Sequence, residues 1–175
     1  CSYLLAQVLD RPGGRCGVIG TVGVGFPGAL TAATHSTPDA VRVHGLLAEF
    51  LSQGATGVCM EVSSHALDQG RVQGVVFSVA LFTNLTRDHL DYHGSMQAYG
   101  DAKARLFAWP GLKAAVINRD DAFGRSLIER AAGHCAVTSY GLDEGDVHAL
   151  ELHPSLQGLQ LRITAPAGEL TLHSG

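Results

Sequence analysis

Gly57-Val58-Cys59-Met60-Glu61-Val62-Ser63-Ser64-His65 reads as a short apolar strand that stops at a carboxylate and a hydroxyl-rich turn. An apolar run without polar alternation suits a strand buried on both faces, and open α/β sheets place their ligand sites beyond the carboxyl ends of such strands. The same pattern returns at residues 75–82, where an apolar run ends in Thr83-Asn84. These two strand ends fix the fold class, and the rest of the chain is read outward from them.

Toward the N-terminus, Thr37 suits a helix N-cap, Pro38 the first helical position and Asp39 the helix dipole. Val43, Leu46, Leu47, Phe50 and Leu51 follow as an apolar stripe, so a helix is expected over 38–53. Residues 16–22 read as a buried strand. Tyr3, Leu4, Leu5, Val8 and Leu9 form the apolar face of an opening helix that Pro12-Gly13-Gly14 ends. Toward the C-terminus, helices are expected over 95–107 and 120–131 and strands over 114–117 and 136–140; from Val147 the pattern becomes short alternating strands with Pro and Gly turns. The expectation is an α/β fold: a mostly parallel sheet with helices on both faces and a small antiparallel section toward the C-terminus.

Gly23-Val24-Gly25-Phe26-Pro27-Gly28 has the G-x-G-x-x-G form of a dinucleotide site. Pro27 biases Phe26 toward extended geometry, and the Thr-rich residues after it do not resemble an amphipathic helix. The stretch is therefore expected to be a glycine loop between elements, with the dinucleotide site as the alternative.

Charge narrows the partners. The net charge is −4, with two lysines and ten arginines dispersed along 175 residues, which argues against a nucleic-acid footprint. Cys1, Cys16, Cys59 and Cys135 lie far apart without a C-x-x-C pair, as expected of reduced thiols in a cytoplasmic protein. No apolar stretch approaches the ~18 residues of a membrane span, so a soluble chain is expected.

Three groups of residues point to chemistry. Glu61 ends a buried strand, where it is either a site carboxylate or a solvated strand end. Asp88, His89, Asp91 and His93 crowd after the next strand; such a set suits magnesium if oxygen dominates or zinc if imidazoles do, with a polar capped loop as the alternative. Lys103 shares a helical stripe with Met96, Tyr99 and Leu106, which would half-bury its ammonium and lower its pKa unless the stem reaches water. With the Ser63-Ser64 turn to meet an oxyanion and Arg71 to meet a phosphate or carboxylate, the set suggests phosphoryl chemistry with a divalent cation. No G-x-x-x-x-G-K-[ST] loop occurs in the chain. A metal-dependent hydrolase built on the Asp88/His89/Asp91/His93 cluster and a non-catalytic nucleotide-binding module remain open from the residues alone.

Glu61-Val62-Ser63-Ser64-His65, Gln69-Gly70-Arg71, the run from Phe82 to Gly94 and Tyr99 with Ala102-Lys103 resemble the central ATPase domain of the Mur ligases, as do Gly20-Thr21-Val22-Gly23, Thr37-Pro38-Asp39-Ala40 and Asn118-Arg119-Asp120-Asp121. The likeness is greatest to the members that add diaminopimelate. It implies a P-loop NTPase-like fold whose phosphate loop would lie directly before Cys1. Residues 1–175 would be a partial central domain, flanked in the longer protein by an N-terminal uridine-binding and a C-terminal amino-acid-binding domain.

The activity implied is ATP- and Mg2+-dependent amide formation in peptidoglycan synthesis. Its substrates would be UDP-MurNAc-dipeptide and an amino acid, diaminopimelate rather than lysine, handled by a cytoplasmic, monomeric enzyme. The resemblance assigns Glu61, His89 and a carbamylated Lys103 to magnesium, with Lys103 and His89 catalytic, and Ser36, Thr37, Ser63, Gln69 and Arg71 to the UDP-muramoyl dipeptide. His35-Ser36-Thr37 departs from the family's Asn-Thr-Thr or Thr-Thr-Pro, so no contact carries over to His35. The chain alone is expected to lack ligase activity.

Overall fold

A computed structural model describes residues 1–156 and 158–174. The chain divides into two units, Cys1–Val75 and Val76–Gly175, each built on its own sheet.

In the first unit, α1 (Ser2–Leu9) precedes β1 (Cys16–Gly20), a strand buried along its whole length. β2 (Gly23–Phe26) and β3 (Ala29–Thr31) form a hairpin, α2 (Ala40–Ser52) follows, and β4 (Gly57–Met60) leads into the short α3 (Ser64–Asp68). The sheet order is β3-β2-β1-β4, with β1 and β4 parallel and the other pairs antiparallel. Helices cover both faces. Cys16 and Val18 pack with Ala6 of α1, while Ile19 packs with Leu46 and Phe50 of α2. Gly17 permits that second contact, because a Cβ there would lie 2.8 Å from the Phe50 ring.

Three expectations need correction here. The packed face of α1 is Ser2 and Ala6 with Tyr3 partly buried beside them, while Leu4, Leu5, Val8 and Leu9 are 45–66% exposed, so of the expected apolar face only Tyr3 meets β1. Asp39, not Thr37, caps α2 by accepting from the Arg42 amide at 3.0 Å, so the helix starts at Ala40 and Thr37 is fully buried. The G-x-G-x-x-G stretch, expected as a glycine loop between elements, is instead strand β2 and its hairpin turn to β3. Gly25 has φ 144°, and a Cβ on it would meet the Ala29 carbonyl oxygen at 2.5 Å. No helix N-terminus stands there to receive a pyrophosphate.

The second unit begins with β5 (Val79–Phe82), shorter than the expected 75–82 because its pairing with β6 starts only at Val79. The single turn α4 (Leu90–His93) leads to α5 (Met96–Ala104), capped by Ser95, and a 3₁₀ turn, Arg105–Ala108. β6 (Ala114–Asn118), α6 (Ala122–Ala131) and β7 (Ala136–Gly141) follow, then β8 (Val147–Ser155), β9 (Gly158–Ala165) and β10 (Gly168–Ser174). The sheet order is β10-β9-β8-β7-β6-β5. β5 to β8 run parallel, and β8 to β10 form the expected antiparallel section. The departure is at β8, whose first residues, Val147 and His148, pair in parallel with Tyr140 and Gly141 of β7. Alternate residues of β5 and β6 (Ala80, Phe82, Ala115, Ile117) pack with Phe107 and Leu127 in the core of this unit.

All four cysteines are free thiols. Cys16 and Cys59 sit on neighbouring strands with their sulfurs 3.7 Å apart. Burial, and then the Cys16 thiol beside it, pushes the Cys59 thiol up to about 12. Among the described residues no helix is long and apolar enough to cross a membrane.

Candidate functional site

The first unit carries a built carboxylate. β1 and β4 are in register as far as Ile19 and Met60, so the chain leaves both strands together and brings Gly20 and Thr21 beside Glu61. Gly20 leaves room for the carboxylate in this position, because a Cβ there would lie 2.8 Å from the Glu61 carboxyl carbon and displace it. Glu61 Oε2 accepts from the Thr21 amide at 2.9 Å and its hydroxyl at 2.7 Å, and Oε1 accepts from the Ser2 hydroxyl at 3.2 Å. Burial alone would raise the Glu61 pKa. The Thr21 and Ser2 hydrogen bonds outweigh it and hold the carboxyl below its ordinary value. These bonds leave lone-pair capacity on Oε1, so an ionised, half-buried oxygen donor is on offer, as a hard cation requires.

Thr37 holds the same strand end from behind. Its hydroxyl donates to the Glu61 carbonyl at 2.8 Å and accepts from the Ser63 amide at 3.0 Å. The Ser63 hydroxyl in turn caps α3, accepting from the Ala66 amide at 3.1 Å. Both side chains thus shape the turn after β4.

Beside this turn lies a groove of about 630 Å³, whose lining includes Thr34, His35, Asp39, Arg42, Gln69 and Arg71. Arg71 is fixed within it: Nη1 donates to the Thr37 carbonyl at 2.9 Å, while Nε and Nη2 donate to Gln69 Oε1 at 2.8 and 2.6 Å. Of the five residues assigned to the substrate, Gln69 and Arg71 line the groove and Ser36, Thr37 and Ser63 do not. His35 does line it, with Nδ1 3.2 Å from the Thr34 hydroxyl.

The second unit carries the lysine. Lys103 is half-buried on α5, as its stripe implies, with Nζ 5.2 Å from the centroid of the Tyr99 ring. Burial pushes its pKa down, and the carboxylates of Asp88 and Asp121 offset part of that shift. Tyr99, 6% exposed, also meets the His89 ring edge-on at 5.7 Å and stacks with His93 at 5.3 Å. His89 has φ 54°, the one non-glycine residue at positive φ among those described. Its amide donates to Asp88 Oδ1 at 2.8 Å. Asp121 caps α6 through the Phe123 and Gly124 amides at 2.9 and 3.0 Å, and its other oxygen accepts from the Leu85 amide at 3.0 Å. Asn118 donates to the Thr83 carbonyl at 2.8 Å, so the carboxyl ends of β5 and β6 are tied together.

Among the described residues no three His, Cys, Asp or Glu side chains gather into a metal cage. Asp88, His89, Asp91 and His93 therefore do not form the metal centre that the hydrolase reading requires: Asp88 and Asp91 are exposed and His93 lies against Tyr99. Sequence reasoning gave no role to Thr21, Ser2, Asp121 or Arg42. Only the strand register could have placed Thr21 beside Glu61.

A profile of the Mur ligase middle domain matches residues 1–175. The UDP-N-acetylmuramoyl-L-alanyl-D-glutamate--2,6-diaminopimelate ligase of Chromobacterium violaceum is 56% identical over 178 residues, an alignment covering 99% of this chain and 36% of that protein. The protein of the same name from Ectopseudomonas mendocina is 53% identical over 175 residues, with the same coverage. A solved structure of a UDP-N-acetylmuramoyl-L-alanyl-D-glutamate--2,6-diaminopimelate ligase superposes with a TM-score of 0.91 at 38% identity, over 99% of this chain and 36% of that one. The chain thus spans about a third of the length of the relatives it matches and belongs to the Mur ligase middle domain family.

Proposed function

We propose that the chain serves an ATP-dependent ligase that joins diaminopimelate to UDP-MurNAc-L-Ala-D-Glu in peptidoglycan precursor synthesis. ATP phosphorylates the substrate carboxylate, releasing ADP; the amine of diaminopimelate attacks the acyl phosphate, and inorganic phosphate leaves as the amide forms. The observation that carries this reading is Lys103, a half-buried amine whose pKa burial lowers, within a chain matched along its whole length by ligase relatives. Only a neutral amine adds carbon dioxide, and the resulting carbamate converts a cation into an oxygen ligand.

Glu61, His89 and carbamylated Lys103 are the residues whose chemistry suits magnesium. Glu61 supplies an ionised carboxylate, and Lys103 supplies oxygen once carbamylated. Magnesium, when bound, neutralises charge on the phosphoryl group being transferred. Gln69 and Arg71, which line the groove, and Ser36, Thr37 and Ser63, of which Thr37 and Ser63 also shape the turn beside it, are the substrate contacts of this reading. Diaminopimelate is favoured over lysine by the names of the relatives. A cytoplasmic, monomeric enzyme fits this role.

The test is ADP release by the full-length protein with UDP-MurNAc-L-Ala-D-Glu and diaminopimelate, alongside Lys103→Ala. Expected are product formation in the parent protein, loss in the variant and partial rescue of the variant by a small added carboxylate such as formate. A fully active Lys103→Ala protein would remove the carbamate from the mechanism. Residues 1–175 alone are expected to form no product.

A further inference from the structure

The groove of the first unit holds two arginines, and they are held differently. Arg71 has three of its N–H groups committed to Thr37 and Gln69 inside the groove wall, which fixes its guanidinium in one orientation. Arg42 lies on the first turn of α2, and its Nη1 donates to Glu49 Oε1 at 2.8 Å, two helical turns further on. Both members of that pair are about half exposed, at 53% and 52%. An exposed ion pair of this kind is weak, because water screens it and both long side chains lose rotamer freedom to make it. A charge-assisted, bidentate contact from the same guanidinium to a phosphate or carboxylate in a groove is stronger. The acidic side chain nearest in sequence, Asp39, is engaged by the Arg42 amide as the helix cap.

We infer that Arg42 is a second anion contact of this groove, exchanging Glu49 for a phosphate or carboxylate oxygen of the bound ligand, with Arg71 as the fixed contact. Glu49, outside the groove lining, then acts as a competitor that holds Arg42 in the empty protein. The inference rests on the sugar-nucleotide reading above for the identity of the ligand, but not for the chemistry of the contact.

The competition gives a signature that loss of packing cannot mimic. Arg42→Gln should weaken binding of UDP-MurNAc-L-Ala-D-Glu by the full-length protein about tenfold, as expected for a hydrogen bond to a charged group, raising KM with kcat unchanged. Glu49→Gln should tighten binding about two- to fivefold by releasing Arg42 from an exposed pair. The double variant should bind like Arg42→Gln alone. Calorimetric titration with UDP-MurNAc-L-Ala-D-Glu, with UDP-MurNAc-L-Ala and with inorganic pyrophosphate separates the anion sources. An Arg42 effect that disappears with UDP-MurNAc-L-Ala assigns the contact to the glutamyl carboxylates; one that persists with pyrophosphate assigns it to phosphate. Glu49→Gln binding no tighter than the parent, or Arg42→Gln binding as well as the parent, overturns the inference. Failure of the parent protein to bind either sugar nucleotide overturns the ligase reading instead, and pyrophosphate still reports on Arg42.

Discussion

Replacing Thr37 with valine keeps the volume of a fully buried side chain and removes one oxygen. That oxygen donates to the Glu61 carbonyl at 2.8 Å and accepts from the Ser63 amide at 3.0 Å. Valine leaves both backbone groups without this partner, and an orphaned buried polar group costs about 1–3 kcal/mol, so Thr37→Val should destabilise the first unit by about 2–6 kcal/mol. Thr37→Ser keeps the hydroxyl and loses a methyl, a cost of about 1 kcal/mol. The Arg71 bond to Thr37 ends on the backbone carbonyl, so neither substitution removes it. Urea unfolding of both variants, followed by circular dichroism and fitted with a common slope, measures the difference. Equal midpoints for valine and serine would refute the reasoning, because the loss would then come from packing and not from the two hydrogen bonds.

Gly124→Ala should be among the most damaging single-methyl additions, since its Cβ would fall 1.9 Å from the Asn118 carbonyl oxygen, a backbone atom that cannot rotate away; a fall in thermal midpoint reads it out. Glu61 has a folded-state pKa below its unfolded value, so its contribution to stability is present above the ordinary carboxylate range and disappears as pH falls through the folded pKa. Glu61→Gln should therefore flatten that part of the acid limb of a stability-against-pH curve while changing nothing in the alkaline limb. With the Cys59 thiol pushed up to about 12 and Cys16 buried, a thiol reagent at pH 8 should modify exposed Cys1 first and leave the Cys16–Cys59 pair protected until the unit unfolds. Peptide mapping after timed alkylation checks the order.

Much of this architecture is legible in the chain. The apolar run before Glu61 and the stripe of α2 need only periodicity, and the half-burial of Lys103 follows from its spacing to Tyr99. Lost to sequence were the features set by partners distant along the chain. Thr37 has every local attribute of an N-cap, yet its hydroxyl is claimed by residues 61 and 63, and Asp39 caps instead. The leucines of α1 look like its core face, but Ala6 and Tyr3 are the residues that pack on β1, an orientation set by the sheet and not by the helix's own pattern. In β2 the glycines match a dinucleotide-site spacing for a different reason: the tight hairpin requires positive φ and close backbone contact. As for the site, its residues are named by their chemistry, whereas Thr21 beside Glu61 depends on a strand register that no local pattern encodes.

The pairing of β1 with β4 begins at Cys16 and Gly57, so that ladder closes a loop of roughly forty residues before it gains its first hydrogen bond. The β8–β9 hairpin, closing between Ser155 and Gly158, carries no such penalty and belongs to the microsecond class of events. Synthesis sharpens the contrast. During translation β2 follows β1 within a few residues, but the parallel partner β4 is synthesised about forty residues later, so for that interval Cys16–Gly20, a strand buried at every position in the native fold, lacks one of its two neighbours. Glu61, whose setting depends on the same ladder, reaches its final environment only after that wait.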